Sequence, residues 1–313
     1  MSVPRGTNHD RGRSLDGVLL LDKPAGITSH TAVARAKRLF HAAKGGHTGT
    51  LDPLATGLLP VCFGEATKFS HLLLDADKAY LATIRLGMTT TTGDLEGTVI
   101  SERPATASRA EVEAVLGRFV GELMQTPPMY SAIKQGGQPL HKLARQGREL
   151  PRAARRIIIR SLALSSFEGD RLELSIRCSK GTYIRVLAED VGAALGCGGC
   201  LANLRRTEVG HFRLAQAATF EQIESLSPGQ REGLLLPPDA LVASLPRHEL
   251  DAEQARRLCH GQALGAAGAY LPGLTRIYGP EREFLGVAEV TAGGQIIPRR
   301  LKAQTEPADP IIA

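Results

Sequence analysis

A single carboxylate, Asp52, stands inside the string Gly45-Gly46-His47-Thr48-Gly49-Thr50-Leu51-Asp52-Pro53-Leu54-Ala55-Thr56-Gly57. Proline keeps the residue before it out of the helical region, so Asp52 is expected to be extended, its side chain aimed by the backbone. That suits a group with a fixed chemical task. The plainer reading makes Asp52 a turn residue whose carboxylate caps Leu54-Ala55. Later segments supply complementary groups: an aromatic ring at Tyr80 and a cation at Arg185. A carboxylate that must be both desolvated and ionised would otherwise take up a proton, and a nearby arginine is the expected means of keeping it charged.

Several elements must position these groups. Gly17-Val18-Leu19-Leu20-Leu21 reads as a buried strand, broken by Asp22-Lys23-Pro24-Ala25-Gly26. Thr28 or Ser29 caps a helix running to about Phe40, and Val61-Cys62-Phe63 after the Asp52 loop looks like another strand. From Lys78 to Leu86, Tyr80, Ala82, Ile84 and Leu86 alternate against Lys78, Thr83 and Arg85, so Tyr80 begins the apolar face of a strand. Ser108-Arg109-Ala110-Glu111 is a capping box opening a helix with Val112, Val115, Leu116, Phe119 and Val120 at helical spacing. Leu172, Leu174, Ile176 and Cys178 alternate as a strand that Ser179-Lys180-Gly181 ends before a helix, with Arg185 at the junction.

Between His141 and Arg160, seven cations (Lys142, Arg145, Arg148, Arg152, Arg155, Arg156, Arg160) face one anion, Glu149. Such a run is either a solvated face or a phosphate-tracking surface. The whole chain of 313 residues carries 38 Lys+Arg against 32 Asp+Glu, which favours a polyanionic partner. No run approaches the ~20 apolar residues of a membrane helix, and the N-terminus lacks the apolar stretch of a secretory signal, so a cytoplasmic protein with no membrane partner is expected. Five scattered cysteines argue against a disulfide framework. Cys197-x-x-Cys200 has no second pair and is read as a tight glycine-rich turn rather than a zinc site.

Regular alternation of strands and helices is absent, which argues for α+β with a mixed or mostly antiparallel central sheet flanked by helices. Residues 1–14, with Arg5, Arg11 and Arg13, read as a mobile basic tail. Residues 15–246 form the main domain, 247–302 a small β-rich domain with a helix capped by Asp251 and a hairpin from Phe284 to Lys302, and 303–313 a fraying tail. Asp94-Leu95-Glu96-Gly97-Thr98 superficially resembles a phosphatase nucleophile loop, but it has Glu for the second Asp and no apolar strand before it, so it is read as a polar loop near the ligand. A uracil methyltransferase would want a reactive cysteine and a dinucleotide-type glycine loop; Cys62 lies in an apolar run and Gly196-x-Gly198 lacks the third glycine.

Asp22-Lys23-Pro24-Ala25-Gly26, the Gly45–Gly57 string, Lys78-Ala79-Tyr80, Thr126-Pro127-Pro128-Met129-Tyr130-Ser131-Ala132, Ser179-Lys180-Gly181-Thr182-Tyr183-Ile184-Arg185 and Leu201-Ala202-Asn203-Leu204-Arg205-Arg206-Thr207 together resemble bacterial tRNA pseudouridine-55 synthases of the TruB type, across roughly residues 16–215. The segment after Pro246 resembles that family's small PUA-like RNA-binding domain. The resemblance implies a pseudouridine synthase fold, tRNA (its T stem-loop) as partner, and isomerisation of one uridine. Asp52 would be the catalytic aspartate, Tyr80 the residue stacked on the base and implicated in C5 proton removal, and Arg185 the partner of the aspartate. His47, Tyr183 and Leu204 would line the nucleotide pocket, and Lys23 and Lys68 complete the expected substrate-binding set. Isomerisation conserves atoms and redox state, so no cofactor or metal is expected, and a monomer without an obligate protein partner is expected. The alternative is a non-catalytic tRNA-binding or tRNA-folding protein.

Overall fold

The computed structural model describes residues 12–265 and 271–303, without the side chain of His141. A ten-stranded sheet runs in the order Leu235–Leu236, Gly17–Lys23, Thr56–Phe63, Gly199–Val209, Lys78–Leu86, Arg171–Cys178, Arg155–Glu168 and Gly121–Gln125, with Gly45–His47 and Phe212–Arg213 attached off this path. Neighbouring strands are antiparallel except at one seam, where Arg205 and Arg206 run parallel to Thr56 and Gly57. The fold is thus α+β with a mixed, mostly antiparallel sheet.

The apolar run of Gly17–Lys23 is continuous because that strand is covered on both faces. Leu19 and Leu21 belong to the core formed on the sheet face that carries the helices Ser29–Phe40, Arg109–Gly117, Ile184–Ala194 and Phe220–Ser225, while Val18 and Leu20 join Leu58, Phe69, Val209, Leu241 and Val287 on the other side. Thr28 caps the first helix by accepting from the Thr31 amide at 3.0 Å, and the Ser108 capping box is formed as expected. The Lys78–Leu86 strand buries Tyr80, Ala82, Ile84 and Leu86, but Lys78 shares their face and is buried too. Its place two residues before Tyr80 requires this, because the side-chain period of a strand is two.

The seam depends on Gly57. Its φ is +99°, and a Cβ there would lie 2.3 Å from the Arg206 carbonyl oxygen. Gly57→Ala is expected to cost ~2–4 kcal/mol in a denaturant melt; an unchanged midpoint would show that the two strands can separate freely.

Arg247 opens a second sheet of five strands, in the order Arg247–Glu249, Gly273–Tyr278, Phe284–Val290, Gln295–Leu301 and Leu264–Gly265. The helix Ala252–Cys259 is capped by Asp251, and Leu258, Ile277, Ala288 and Ile296 form a separate core. Arg5 and Arg11 lie outside the described residues. Arg13 has partners: its Nε donates to the Phe40 carbonyl, and its main chain bridges to Ala42. The Cys197–Cys200 segment is a glycine turn with both thiols buried and unpaired, Gly196 and Gly198 both having positive φ. Among the described residues no helix is long and apolar enough to cross a membrane.

Candidate active site

The Asp52 loop is fastened from three sides. Ser29, at the start of the first helix, accepts from the Leu51 amide at 2.8 Å and donates to the Leu51 carbonyl at 3.0 Å. Buried Lys23 donates to the carbonyls of Pro24, Ile27 and Pro53. Arg206 donates to the carbonyls of Leu58 at 2.8 Å, Gly49 at 3.1 Å and Thr50 at 3.5 Å. Burial lowers Lys23 to a pKa of about 8. Asp52 is not a turn cap through its carboxylate: its main-chain carbonyl accepts from Ala55, which leaves the side chain for another partner.

That partner is Arg185. Its Nε donates to Asp52 Oδ2 at 3.0 Å, and the other guanidinium nitrogens donate to the carbonyls of Thr92 at 2.9 Å and Tyr130 at 2.7 Å. The Arg185 side chain is 5% exposed while that of Asp52 is 42% exposed. The carboxylate is therefore not desolvated in the free protein; one oxygen is tied to a buried cation and the group still faces the cavity. The guanidinium does not grip Asp52 with both prongs either, because its other nitrogens serve the main chain.

A second carboxylate, Asp94, lies 3.5 Å from Arg185 Nε and is buried. The surrounding polar loop exists to hold it: Thr92 Oγ1 donates to Asp94 Oδ1 at 2.5 Å, the Glu96 amide to the same oxygen at 3.1 Å, and Thr90 Oγ1 to the Asp94 carbonyl. The loop read in sequence as ligand-facing thus turns its aspartate inward onto Arg185. Asp94→Asn should lower turnover about tenfold or more, equivalent to ~1.4 kcal/mol of barrier, with a lower melting midpoint because a buried guanidinium loses a counter-charge. A variant with wild-type rate and midpoint would remove Asp94 from the network.

Asp52 lines two cavities. One, of about 290 Å³, is walled by Tyr80, Tyr183, Leu204, Lys78, Arg185 and Arg206. Tyr80 and Arg206 stand directly opposite each other across paired strands, and both wall this cavity. Burial raises the Tyr80 phenol, and Arg206 pulls against that. Tyr183 is set by Gln125, which accepts from its amide and donates to its carbonyl. Lys78 donates to the carbonyls of Leu74 and Ala76, and burial with the nearby Arg206 brings it down to about 8.

The other cavity, of about 510 Å³, is lined by His47, Thr50, Asp94, Glu96 and Arg145. Burial and the charge of Arg206 lower His47, so its ring is neutral at pH 7. Of the expected set, Asp52, Tyr80, Arg185, Tyr183, Leu204 and His47 come together around these cavities. Lys23 supports the loop from beneath. Lys68 does not reach either cavity; it binds Glu65 at 2.6 Å and the Leu301 carbonyl at 3.2 Å, joining the main body to the second sheet.

Sequence reasoning missed Asp94, Arg206 and Lys78. The threonine run Thr89 to Thr92 was a signal for Asp94, since clustered hydroxyls can hold a carboxylate. The period-two rule already placed Lys78 beside Tyr80. No local signal separates Arg206 from its neighbour Arg205, which pairs with Asp22 at the surface of the same seam.

Comparison with known proteins gives one answer along the chain. Residues 37–184 match the model for the TruB family pseudouridylate synthase N-terminal domain, 185–243 that for the tRNA pseudouridylate synthase B C-terminal domain, and 246–301 that for the C-terminal region of pseudouridine synthase II TruB. The chain is 51% identical to tRNA pseudouridine synthase B of Methylobacillus flagellatus, covering 93% of this chain and 97% of that one. It is 53% identical to the protein of that name from Aromatoleum aromaticum, covering 96% and 97%. Among solved structures, a chain of a Cbf5-Nop10-Gar1 complex superposes with a TM-score of 0.69 at 26% identity, covering 91% of this chain and 80% of that one.

Proposed function

The chain belongs to the TruB family of pseudouridylate synthases, and from that premise we propose that it isomerises uridine 55 in the T loop of tRNA to pseudouridine, with Asp52 as the catalytic carboxylate. The observation that carries the reading is the half-exposed Asp52 carboxylate, tied to buried Arg185 at the wall of a cavity that also presents Tyr80 and Leu204.

The reaction breaks the N1–C1′ bond, joins C5 to C1′, removes the C5 proton and leaves one on N1. No electrons are gained or lost, so side chains suffice. A base within a folded loop must first be extruded, at a cost of about a few kcal/mol. Stacking on an aromatic ring returns ~1–3 kcal/mol per base, and Tyr80 with Leu204 supplies the apolar wall for it. With Oδ2 of Asp52 held by Arg185, the oxygen that meets the nucleotide is Oδ1. An RNA covering the cavity strips water from the carboxylate and leaves Arg185 as its charged partner.

The basic segment serves the rest of the stem and loop. Arg156 and Arg160 are engaged with Glu122 and Asp77 at the surface. Exposed pairs of this kind contribute ~0–1 kcal/mol, so RNA phosphates can replace the carboxylates at little cost. The decisive experiment supplies an unmodified tRNA transcript tritiated at C5 of uridine, with EDTA and no cofactor. Stoichiometric tritium release, with the new pseudouridine mapped to position 55, is the expected result. Tight binding without release would instead assign the chain to tRNA folding.

A further inference from the structure

Arg206 is 1% exposed, the described groups it donates to are main-chain carbonyls rather than a carboxylate, and Tyr80 stands opposite it in the paired strand. A guanidinium taken out of water without a counter-charge is costly, and neutral donors could hold three carbonyls. The charge itself therefore calls for a use. Two placements point to one. The side chain fastens Gly49 and Thr50, three and two residues ahead of Asp52, while its carbonyl faces Gly57 just beyond the loop. It also lies directly across the strand pair from Tyr80, on the cavity that Asp52 lines.

Resting on the proposed isomerase reading, we infer that Arg206 is a positioning residue: it holds the Tyr80 phenol oxygen toward the reacting base and stabilises the negative charge that oxygen carries when it takes the C5 proton. The phenol first gives its proton to water. After C5 has joined C1′, the C5–H bond breaks and its electron pair closes the C5–C6 double bond. The phenolate receives the proton and is a phenol again, while the C6–N1 double-bond pair moves onto N1, freed of its sugar, which takes from water the equivalent of the proton the phenol gave up. The other charged or titratable groups around Tyr80 are Cys178, from the strand on its other side, Asp52 from the loop, Lys78 on its own strand, and, across the cavity, Tyr183 and Arg185, the last committed to Asp52 and two carbonyls. Cys178 is itself pushed up to about 11 by burial and stays neutral, and Asp52 opposes a phenolate. Lys78 is committed to two carbonyls. Arg206 is the group placed to favour the anion.

The test is the single-turnover rate of pseudouridine formation against pH for wild type, Arg206→Gln and Arg206→Lys, with tRNA affinity and thermal melting measured on each. Arg206→Gln is expected to slow the step by about 10²-fold near neutral pH and to move the rise of rate with pH to higher pH than in wild type. It should also show a larger C5-deuterium isotope effect than wild type, while tRNA affinity changes little. Arg206→Lys keeps the charge but loses the fork on the carbonyls, so its profile should shift less, and it carries the test if the glutamine variant does not fold. A rate depressed by one factor at every pH, with no added isotope effect, would leave Arg206 as a loop clamp and overturn the inference. So would wild-type rates in both variants. If the wild type itself forms no pseudouridine in tRNA, the proposed function fails instead, an outcome seen before any variant is compared.

Discussion

Asp52→Asn is expected to abolish turnover, by about 10⁴-fold or more, while tRNA affinity stays within about tenfold of wild type because phosphate contacts dominate binding. The structure makes this a clean substitution. The side chain is 42% exposed and its loop is held through main-chain groups by Ser29, Lys23 and Arg206, none of which uses the carboxylate. An asparagine amide oxygen can still accept from Arg185 Nε, so the fold and the cavity persist. What disappears is the charge and the nucleophilic or basic oxygen. Tritium release and filter binding on the same preparations check the result. Loss of binding in step with loss of turnover would sink this division of labour, as Asp52 would then be an RNA-binding residue.

Arg185→Lys keeps a positive charge yet is expected to lower the rate by ~10²–10³-fold, the scale of losing preorganised electrostatics. Arg185 spans three partners at once: Asp52 from Nε, and the Thr92 and Tyr130 carbonyls from the two terminal nitrogens. A single ammonium cannot occupy the three directions of a planar fork. If lysine settles on Asp94 or the carbonyls, Asp52 loses its anchor; if it follows Asp52, buried carbonyls go unpaired at ~1–3 kcal/mol each. The variant should therefore lose melting stability as well as rate, which separates it from Asp52→Asn. Near-normal turnover would remove Arg185 from the active-site pairing.

Elements whose causes are local were legible before any coordinates. The Thr28 cap, the Ser108 and Asp251 boxes, the alternating strands at 78–86 and 171–178 and the C-terminal hairpin each follow from residues within a few positions of one another. Where the reading strayed, the cause was distant. The polar loop at Asp94 does border the cavity that Asp52 lines, but its aspartate also pairs with Arg185, 91 positions on, a contact no local pattern marks. Lys68 lies away from the two cavities because Glu65 and the Leu301 carbonyl hold it at the junction with the second sheet.

By itself the sequence determined which residues could do chemistry: the Asp52 loop set out by its glycines and proline, Tyr80 on the inward face of a strand, and Arg185 at a helix start. Tertiary structure alone decided how those groups are charged, covered and supported. Arg205 and Arg206 are adjacent and chemically identical, yet one pairs with Asp22 near the surface and the other is sealed beneath the cavity against Tyr80. Strand pleating sends neighbouring side chains to opposite faces, and which face is buried depends on the segments folded over it. A cation's surroundings set its energy and its use, and those surroundings are assembled from parts of the chain that the sequence keeps far apart.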